Sequence, residues 1–387
     1  MVKSLLLICL VFLFSIGCKK SDKEEKLVEE NEDIIAALPL EIPFPLDNPI
    51  TKEKAELGKL LFFDPILSGN KDVACATCHH PEFGFAENLE LSIGVNGHGF
   101  GSKRAFKSPN TIPFVKRNSQ SIVNVVFNGI KQDGNLDPSK APMFWDLRVE
   151  SLEKQALEPI KTMEEMRGKD ISEEIILDRI MERLRENKVY FGLFERAFGS
   201  KNSVSIENLG KALATYQRTI VANNSRFDKY LRGDESALSF NEIEGMKAFG
   251  KSGCIACHNG PMFSDFELHV LGVIDNEKLG FSDMGKDNKY GFRTPSLRNL
   301  RLTAPYMHSG KLKTLKHVLE FYEDLAGDVI TNPKVKASQI DPKISKLKVN
   351  FKDISAIVEF LGTLNDESYD KTIPKKVPSG LKVGGSI

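Results

Sequence analysis

Apolar residues recur at three- and four-residue steps over 151–157, 171–184, 206–221, 314–325 and 354–364, the spacing that lines one side of an α-helix. Sustained apolar–polar alternation, the mark of half-buried strands, is scarce, so the pattern predicts an all-α chain. Two further helical stretches echo each other: Gly58 stands four residues before Phe62, and Gly245 four before Phe249. Each stretch precedes a Cys-x-x-Cys-His pentapeptide, and the echo continues beyond it, with Pro81 and Phe83 answered by Pro261 and Phe263. This predicts a tandem duplication with a boundary near 222–233. The long irregular stretches 94–118 and 268–300, rich in Gly, Asn and Lys, would count against an ordinary compact domain.

The pentapeptides, Cys75-Ala-Thr-Cys78-His79 and Cys254-Ile-Ala-Cys257-His258, change that picture. In a c-type haem site two cysteines form thioethers with the porphyrin vinyl groups, and the adjacent histidine binds iron through a ring nitrogen. A redox dithiol and a zinc site also use Cys-x-x-Cys, but neither requires a histidine directly after the second cysteine. Two covalent haems would also provide the apolar surface on which the irregular stretches can pack.

Lys and Arg together number 53, as do Asp and Glu, so the formal charge is zero and nothing suggests a nucleic-acid partner or an anionic membrane surface. The chain opens with Lys3 and a short apolar run over 5–16, followed by Gly17-Cys18. This resembles a lipoprotein export signal, whose cysteine is acylated; the other reading is an ordinary secretory signal with an incidental Cys18. Residues 19–33 form a charged stretch poor in apolar groups, suited to a solvated tether. Of six cysteines, Cys9 and Cys18 fall in the signal region and four in the pentapeptides, leaving none for a structural disulfide. The expected organisation is a signal over 1–17, a tether over 18–39, domains over 40–222 and 223–375, and a tail over 376–387. The mature protein is expected on the periplasmic side of a bacterial membrane, held only by lipid at Cys18.

Several longer motifs carry a family resemblance: 78–85 (Cys-His-His-Pro-Glu-Phe-Gly-Phe), Phe144-Trp145-Asp146, 152–159 (Leu-Glu-Lys-Gln-Ala-Leu-Glu-Pro), 294–299 (Thr-Pro-Ser-Leu-Arg-Asn) and 303–310 (Thr-Ala-Pro-Tyr-Met-His-Ser-Gly). Over roughly 40–370 the chain resembles the bacterial di-haem cytochrome c peroxidases, in their MauG-like branch. The resemblance implies two tandem cytochrome c-like domains with long irregular loops, each holding one covalent haem. It makes the His79 haem peroxidatic and the His258 haem the electron-transfer centre. It also implies that Trp145, the only tryptophan, passes electrons between them; taken alone, that residue reads as a core aromatic. Gln155 and Pro159, four apart on a helix that Pro159 would end or bend, would overlook the open side of the first haem. Glu165 would move the protons of peroxide cleavage with Gln155 as orienter, whereas by itself it reads as a solvated charge beside Glu164. Asn118, with the backbone carbonyls of Thr303 and Pro305, matches an interdomain calcium site, and oxygen-only ligation suits that hard cation. His308 would lie near the haems; His80, His269 and His317 read as surface or packing residues.

Two departures from the conventional peroxidases matter. After Ser92-Ile93-Gly94 those enzymes carry an iron-blocking histidine, and here stands Val95, which cannot bind iron. His98 is the nearest substitute, the alternative being a solvent-exposed loop histidine. The sixth ligand of the second iron, a methionine in the conventional enzymes, is matched by Tyr322, as in the MauG-like branch; Met284 and Met307 are the other candidates, and the other reading of Tyr322 is a residue that only fills a helix face. A phenolate favours higher oxidation states where a thioether favours ferrous iron. The expected activity is reduction of hydrogen peroxide with electrons from a small donor such as a cytochrome c or cupredoxin. The alternatives are oxidation of aromatic side chains in a partner protein, as in the MauG branch, and a non-catalytic di-haem electron carrier or redox sensor.

Overall fold

The computed structural model describes residues 35–387. The expected signal and Cys18 lie outside these residues. The described part of the expected tether is packed: Ile35 and Leu38 are buried, and the Leu38 amide donates to Asp228 Oδ1 at 3.0 Å. Among the described residues no helix is long and apolar enough to cross a membrane.

The chain is mostly helical. In order the main helices are α1 (Lys52–Phe63), α2 (Leu152–Gln155), α3 (Glu158–Lys161), α4 (Glu173–Glu186), α5 (Lys188–Phe198), α6 (Ile206–Arg218), α7 (Arg226–Leu231), α8 (Phe240–Lys251), α9 (Leu315–Ala326) and α10 (Ile354–Thr363). Two short antiparallel ladders accompany them, β1 (Gly97–His98) with β2 (Ala105–Phe106) and β3 (Leu268–His269) with β4 (Phe292–Arg293). Side-chain oxygens cap many helix starts, among them Thr51 for α1, Ser205 for α6 and Thr314 for α9, while Ser239 and Glu242 form a reciprocal box at α8. The single helix predicted over 151–157 is broken: α2 ends at Gln155, and α3 restarts with Pro159 in its first turn, where a missing N–H costs nothing.

The echo of the two glycines has a structural cause. α1 crosses α6 so closely that a Cβ on Gly58 would lie 2.0 Å from the Ala212 carbonyl oxygen. α8 crosses α10 in the same way, with Gly245 2.0 Å from the Ala356 oxygen. In each half the helix preceding the pentapeptide therefore meets the last helix of that half, backbone against backbone. Around these crossings grow separate apolar cores. One contains Leu57, Leu61, Phe62, Phe85, Leu213 and Tyr216, and the other contains Phe227, Met246, Phe249, Phe263, Ile357 and Phe360.

Buried ion pairs fix the connections. Arg298 donates twice to Asp228, at 2.9 Å each, with both side chains almost wholly buried. This fork joins α7 to the irregular segment before α9. Arg218 on α6 grips Glu153 on α2, which also accepts from Asn48 at 2.8 Å. The segment 376–387 returns to the N-terminal half: Thr77 donates to the Gly384 carbonyl at 2.7 Å, Gly385 bridges Val73, and Arg104 donates to the Ser386 carbonyl at 3.0 Å.

The crossings give a test with opposing signs. Alanine is favoured over glycine inside a helix by about 1 kcal/mol, but overpacking against an immovable carbonyl costs about 1–3 kcal/mol. Gly58→Ala and Gly245→Ala should therefore lower the thermal midpoint. Gly362→Ala, on α10 with nothing within 4 Å of the new methyl group, should raise it. Calorimetry of the three variants checks this, and a rise for either crossing glycine would contradict the packing.

Candidate functional site

Each pentapeptide forms a tight helical turn that presents its histidine ring inward. His79 Nδ1 lies 3.0 Å from the Phe85 carbonyl oxygen and His258 Nδ1 2.9 Å from that of Phe263. A carbonyl can only accept, so in both rings Nδ1 carries the proton and the Nε2 lone pair is left for a metal. Burial lowers the pKa of both rings, which keeps them neutral. Phe85 and Phe263 both adopt a left-handed backbone, with φ of 53° and 51°, turning their carbonyls onto the imidazoles. Neither cysteine pair is joined as a disulfide. Cys257 does cluster with Asp265 and His269, but both nitrogens of His269 are committed to carboxylates, so that group offers no imidazole lone pair for zinc.

The C-terminal half encloses a large, mostly apolar cavity bordered by Cys254, Cys257, His258, Tyr322, Trp145 and Arg293. Arg293 supplies a second sign that a prosthetic group fits here. It is buried, its pKa is lowered to about 10 by that burial, and it donates only to the Phe144 carbonyl, the Thr294 carbonyl and Gln120 Oε1. No acidic side chain among the described residues pairs with it, and the carboxylates of a haem would supply the missing counter-charge. Tyr322, on α9, faces the same cavity, and burial raises the pKa of its phenol. Of the other candidate ligands Met307 lines the cavity, whereas Met284 is exposed.

A strap over 118–121 joins this cavity to His79. The Asn118 carbonyl accepts from Trp145 Nε1 at 3.0 Å, and its amide donates to the His308 carbonyl at 2.8 Å. Ser119 Oγ donates to the Cys78 carbonyl at 2.9 Å and lies 3.3 Å from His79 Nδ1. Trp145 is buried and meets His308 edge to face at 6.3 Å, while His308 stacks on Phe292 at 3.5 Å. Burial pushes the pKa of His308 down to about 3. Asn118, Thr303 and Pro305 all border this cavity, and Asn118 Nδ2 donates to the Leu89 and Glu90 carbonyls.

On the N-terminal side Glu165 sits in a π-helical turn over Met163–Arg167, a widened geometry frequent at functional sites. Its carboxyl is raised to about 7, first by burial and then by Glu164 and Glu158, against the pull of Arg148. A charge on Glu165 would raise the pKa of both Cys75 and Cys78, though burial is the larger cause for each. Gly94 explains how the loop reaches this turn: a Cβ there would lie 2.1 Å from the Glu165 carbonyl oxygen, and the Val95 amide donates to the Glu164 carbonyl at 3.2 Å. Val95 is buried in the apolar core, whereas His98 is exposed on β1. Gln155 ends α2 and Pro159 stands in the first turn of α3, both partly buried and both on the segment that leads into the turn of Glu165.

Two groups escaped the sequence reading. Glu87 is 2% exposed and abuts Cys78, with Arg104 at 3.9 Å; burial foremost raises its pKa to about 7, against hydrogen bonds from Ser92 and the Ile93 backbone. Nothing in its local sequence sets it apart from the neighbouring Glu82 and Glu90. His269 is no surface residue: it is buried between two carboxylates. His80 packs edge to face on Phe100, and His317 is exposed.

Comparison with known proteins agrees with this geometry. The profile of the family described as "Di-haem cytochrome c peroxidase" matches residues 52–236. The chain is 34% identical over 346 residues to the methylamine utilization protein MauG of Methylorubrum extorquens, covering 87% of this chain and 85% of that protein. It is 30% identical over 345 residues to cytochrome c551 peroxidase of Nitrosomonas europaea, covering 87% of each. Among solved structures, a MauG-like protein associated with microbial copper homeostasis superposes with a TM-score of 0.67 at 28% identity, over 86% of this chain and 95% of that one. The chain therefore belongs to the di-haem cytochrome c peroxidase family.

Proposed function

We propose that this protein is a di-haem c-type peroxidase that reduces hydrogen peroxide to water with electrons from a small redox protein. In this reading it is built from two tandem cytochrome c-like domains and held at the periplasmic side of the membrane by lipid on Cys18. The observation that carries the reading is the repeated histidine geometry, which leaves one Nε2 in each half free for iron. Cys75, Cys78 and His79 would hold the first haem, and Cys254, Cys257, His258 and Tyr322 the second. Bound haem supplies an iron at which peroxide binds and a second centre that stores oxidising equivalents or electrons.

The protein's own groups manage protons and position. The net reaction, H2O2 with two protons and two electrons giving two waters, needs a group that accepts the proton of the near oxygen and returns it to the departing one. Glu165 suits this because a carboxyl held near neutrality exchanges protons in both directions. Gln155 and Pro159 would shape the pocket over it. Val95 offers no iron-binding atom where the conventional enzymes carry a histidine, and His98 is exposed, so a haem on His79 would keep an open side for peroxide. Trp145 would couple the halves, held by the Asn118 carbonyl on the strap that touches His79. A calcium ion at Asn118 and the carbonyls of Thr303 and Pro305 would brace the same strap.

A second reading, oxidation of a partner's aromatic side chains, is favoured by Tyr322, since a phenol at the second iron disfavours the ferrous state an electron reservoir needs.

Low-temperature EPR of the ferric protein, before and after one equivalent of peroxide without reductant, tests the reading. A high-spin and a low-spin signal, both lost on peroxide addition, are expected; two low-spin signals unmoved by peroxide would refute the open first iron. Glu165→Gln should lower peroxide turnover about 10²–10⁴-fold with haem spectra intact. Protonated Glu165 cannot accept a proton, so the parent's rate should rise with pH through a limb centred at about 7, and the variant should lack that limb. Unchanged turnover would remove Glu165 from the mechanism.

A further inference from the structure

His269 is 5% exposed, and both ring nitrogens meet carboxylates: Nδ1 lies 2.7 Å from Asp341 Oδ2 and Nε2 3.0 Å from Asp265 Oδ2. A neutral imidazole has one N–H and one lone pair, so two carboxylate partners require the doubly protonated ring donating twice. Lys343 donates to the same Asp265 oxygen at 2.9 Å and to Glu267 at 3.3 Å. The mechanism above uses none of these groups.

The two carboxylates belong to different walls of the C-terminal cavity. Asp265 follows the attachment turn, and its amide donates to the Cys257 carbonyl at 2.8 Å. Asp341 caps the helical turn Pro342–Lys346, whose Ile344 is buried with Phe321 and Leu325 in the cluster against which Tyr322 and Leu347 pack. His269 thus spans from the Cys257 wall to the Tyr322 wall, in a buried setting where charge-assisted hydrogen bonds are strong.

We propose that His269 is a positioning residue for the second haem: an imidazolium clasp that ties the attachment turn to the wall carrying Tyr322 and so fixes the spacing between His258 and Tyr322. The proposal rests on the reading of Tyr322 as an axial group. Removing the ring leaves Asp265 and Asp341 facing each other with only Lys343 to offset them, so the walls part. It also removes a fixed positive charge beside the haem, which favours the oxidised iron.

The test uses the full-length holoprotein with His269→Gln, Asp341→Asn and Tyr322→Phe, read by haem content, ferric EPR and the midpoint potential of the second haem. His269→Gln should keep two haems per chain and leave the first haem's high-spin signal in place. It should shift the g-values of the second haem's low-spin signal and lower its potential. Asp341→Asn, which removes a negative charge but keeps the shape, should shift the g-values less and move the potential upward; simple loosening of the fold would not give opposite signs. Parent-like g-values and potential in His269→Gln would overturn the clasp. If Tyr322→Phe alters the spectrum and His269→Gln does not, the clasp fails and the axial reading stands; the reverse pattern sinks the axial reading and, with it, the proposal. Should His269→Gln not take up haem, Asp341→Asn decides, and an unshifted spectrum and potential there would overturn the proposal.

Discussion

Everything at the two iron sites depends on one hydrogen bond made twice, from a histidine Nδ1 to the carbonyl of a phenylalanine a few residues on. That bond decides which nitrogen faces the haem, and it exists only because Phe85 and Phe263 accept a left-handed backbone. For a residue other than glycine this conformation costs roughly 1–2 kcal/mol. Both rings are fully buried, Phe85 against Phe62 and Phe263 against Phe227, Phe249 and Phe360. Burying such a ring contributes about 1.5–3 kcal/mol, enough to offset the strain. Glycine would adopt the same φ freely but would lose the ring that holds it there. The same core that forms around each helix crossing therefore also aims each imidazole.

The segment 118–121 is one link between the halves, beside the pairs of Arg117 with Asp283, Glu90 with Lys278 and Leu38 with Asp228. Asn118 binds Trp145 and the His308 backbone, Ser119 touches His79, Gln120 accepts from Arg293, and Ser121 donates to the Gly84 carbonyl next to Phe85. A displacement of this strap would move the first proximal histidine and the tryptophan together. That is why a cation bound at Asn118 would matter to both haems, although it touches neither.

What the sequence made legible were features local in the chain. The pentapeptides, the helices with clean three-four spacing and the glycine echo can be read within a dozen residues, and α4, α6, α9 and α10 fall where the pattern put them, within two or three residues at their ends. α5 escaped although it is rich in apolar residues, of which only Tyr190 and Phe194 are fully buried. The break between α2 and α3 came earlier than Pro159 alone suggested. His269 was misread for a different reason: one of its partners, Asp341, stands 72 positions away. Nothing local distinguishes a histidine that will sit between two carboxylates from one that will pad a surface. Glu87 was missed likewise, since its cationic neighbour, Arg104, stands well down the chain.

The two buried histidines of the C-terminal half carry opposite charge states, and their placement follows the chemistry each side needs. β3 sets His269 opposite Phe292 in register, and Phe292 stacks on His308, so the two rings flank one short ladder. His269 is raised to about 10 by its carboxylates and stays charged, while His308 is held neutral by burial. The neutral ring is the one beside Trp145. An indole that gives up an electron becomes a cation, and a fixed positive charge at that distance would oppose it. Arg117, the next cation out, is cancelled by Asp146 and Asp283. Arg293 is the exception: its backbone amide binds the Trp145 carbonyl and its guanidinium has no carboxylate. In the proposed reading the carboxylates of a bound haem would offset Arg293, and so lower the cost of placing a cation on the indole beside it.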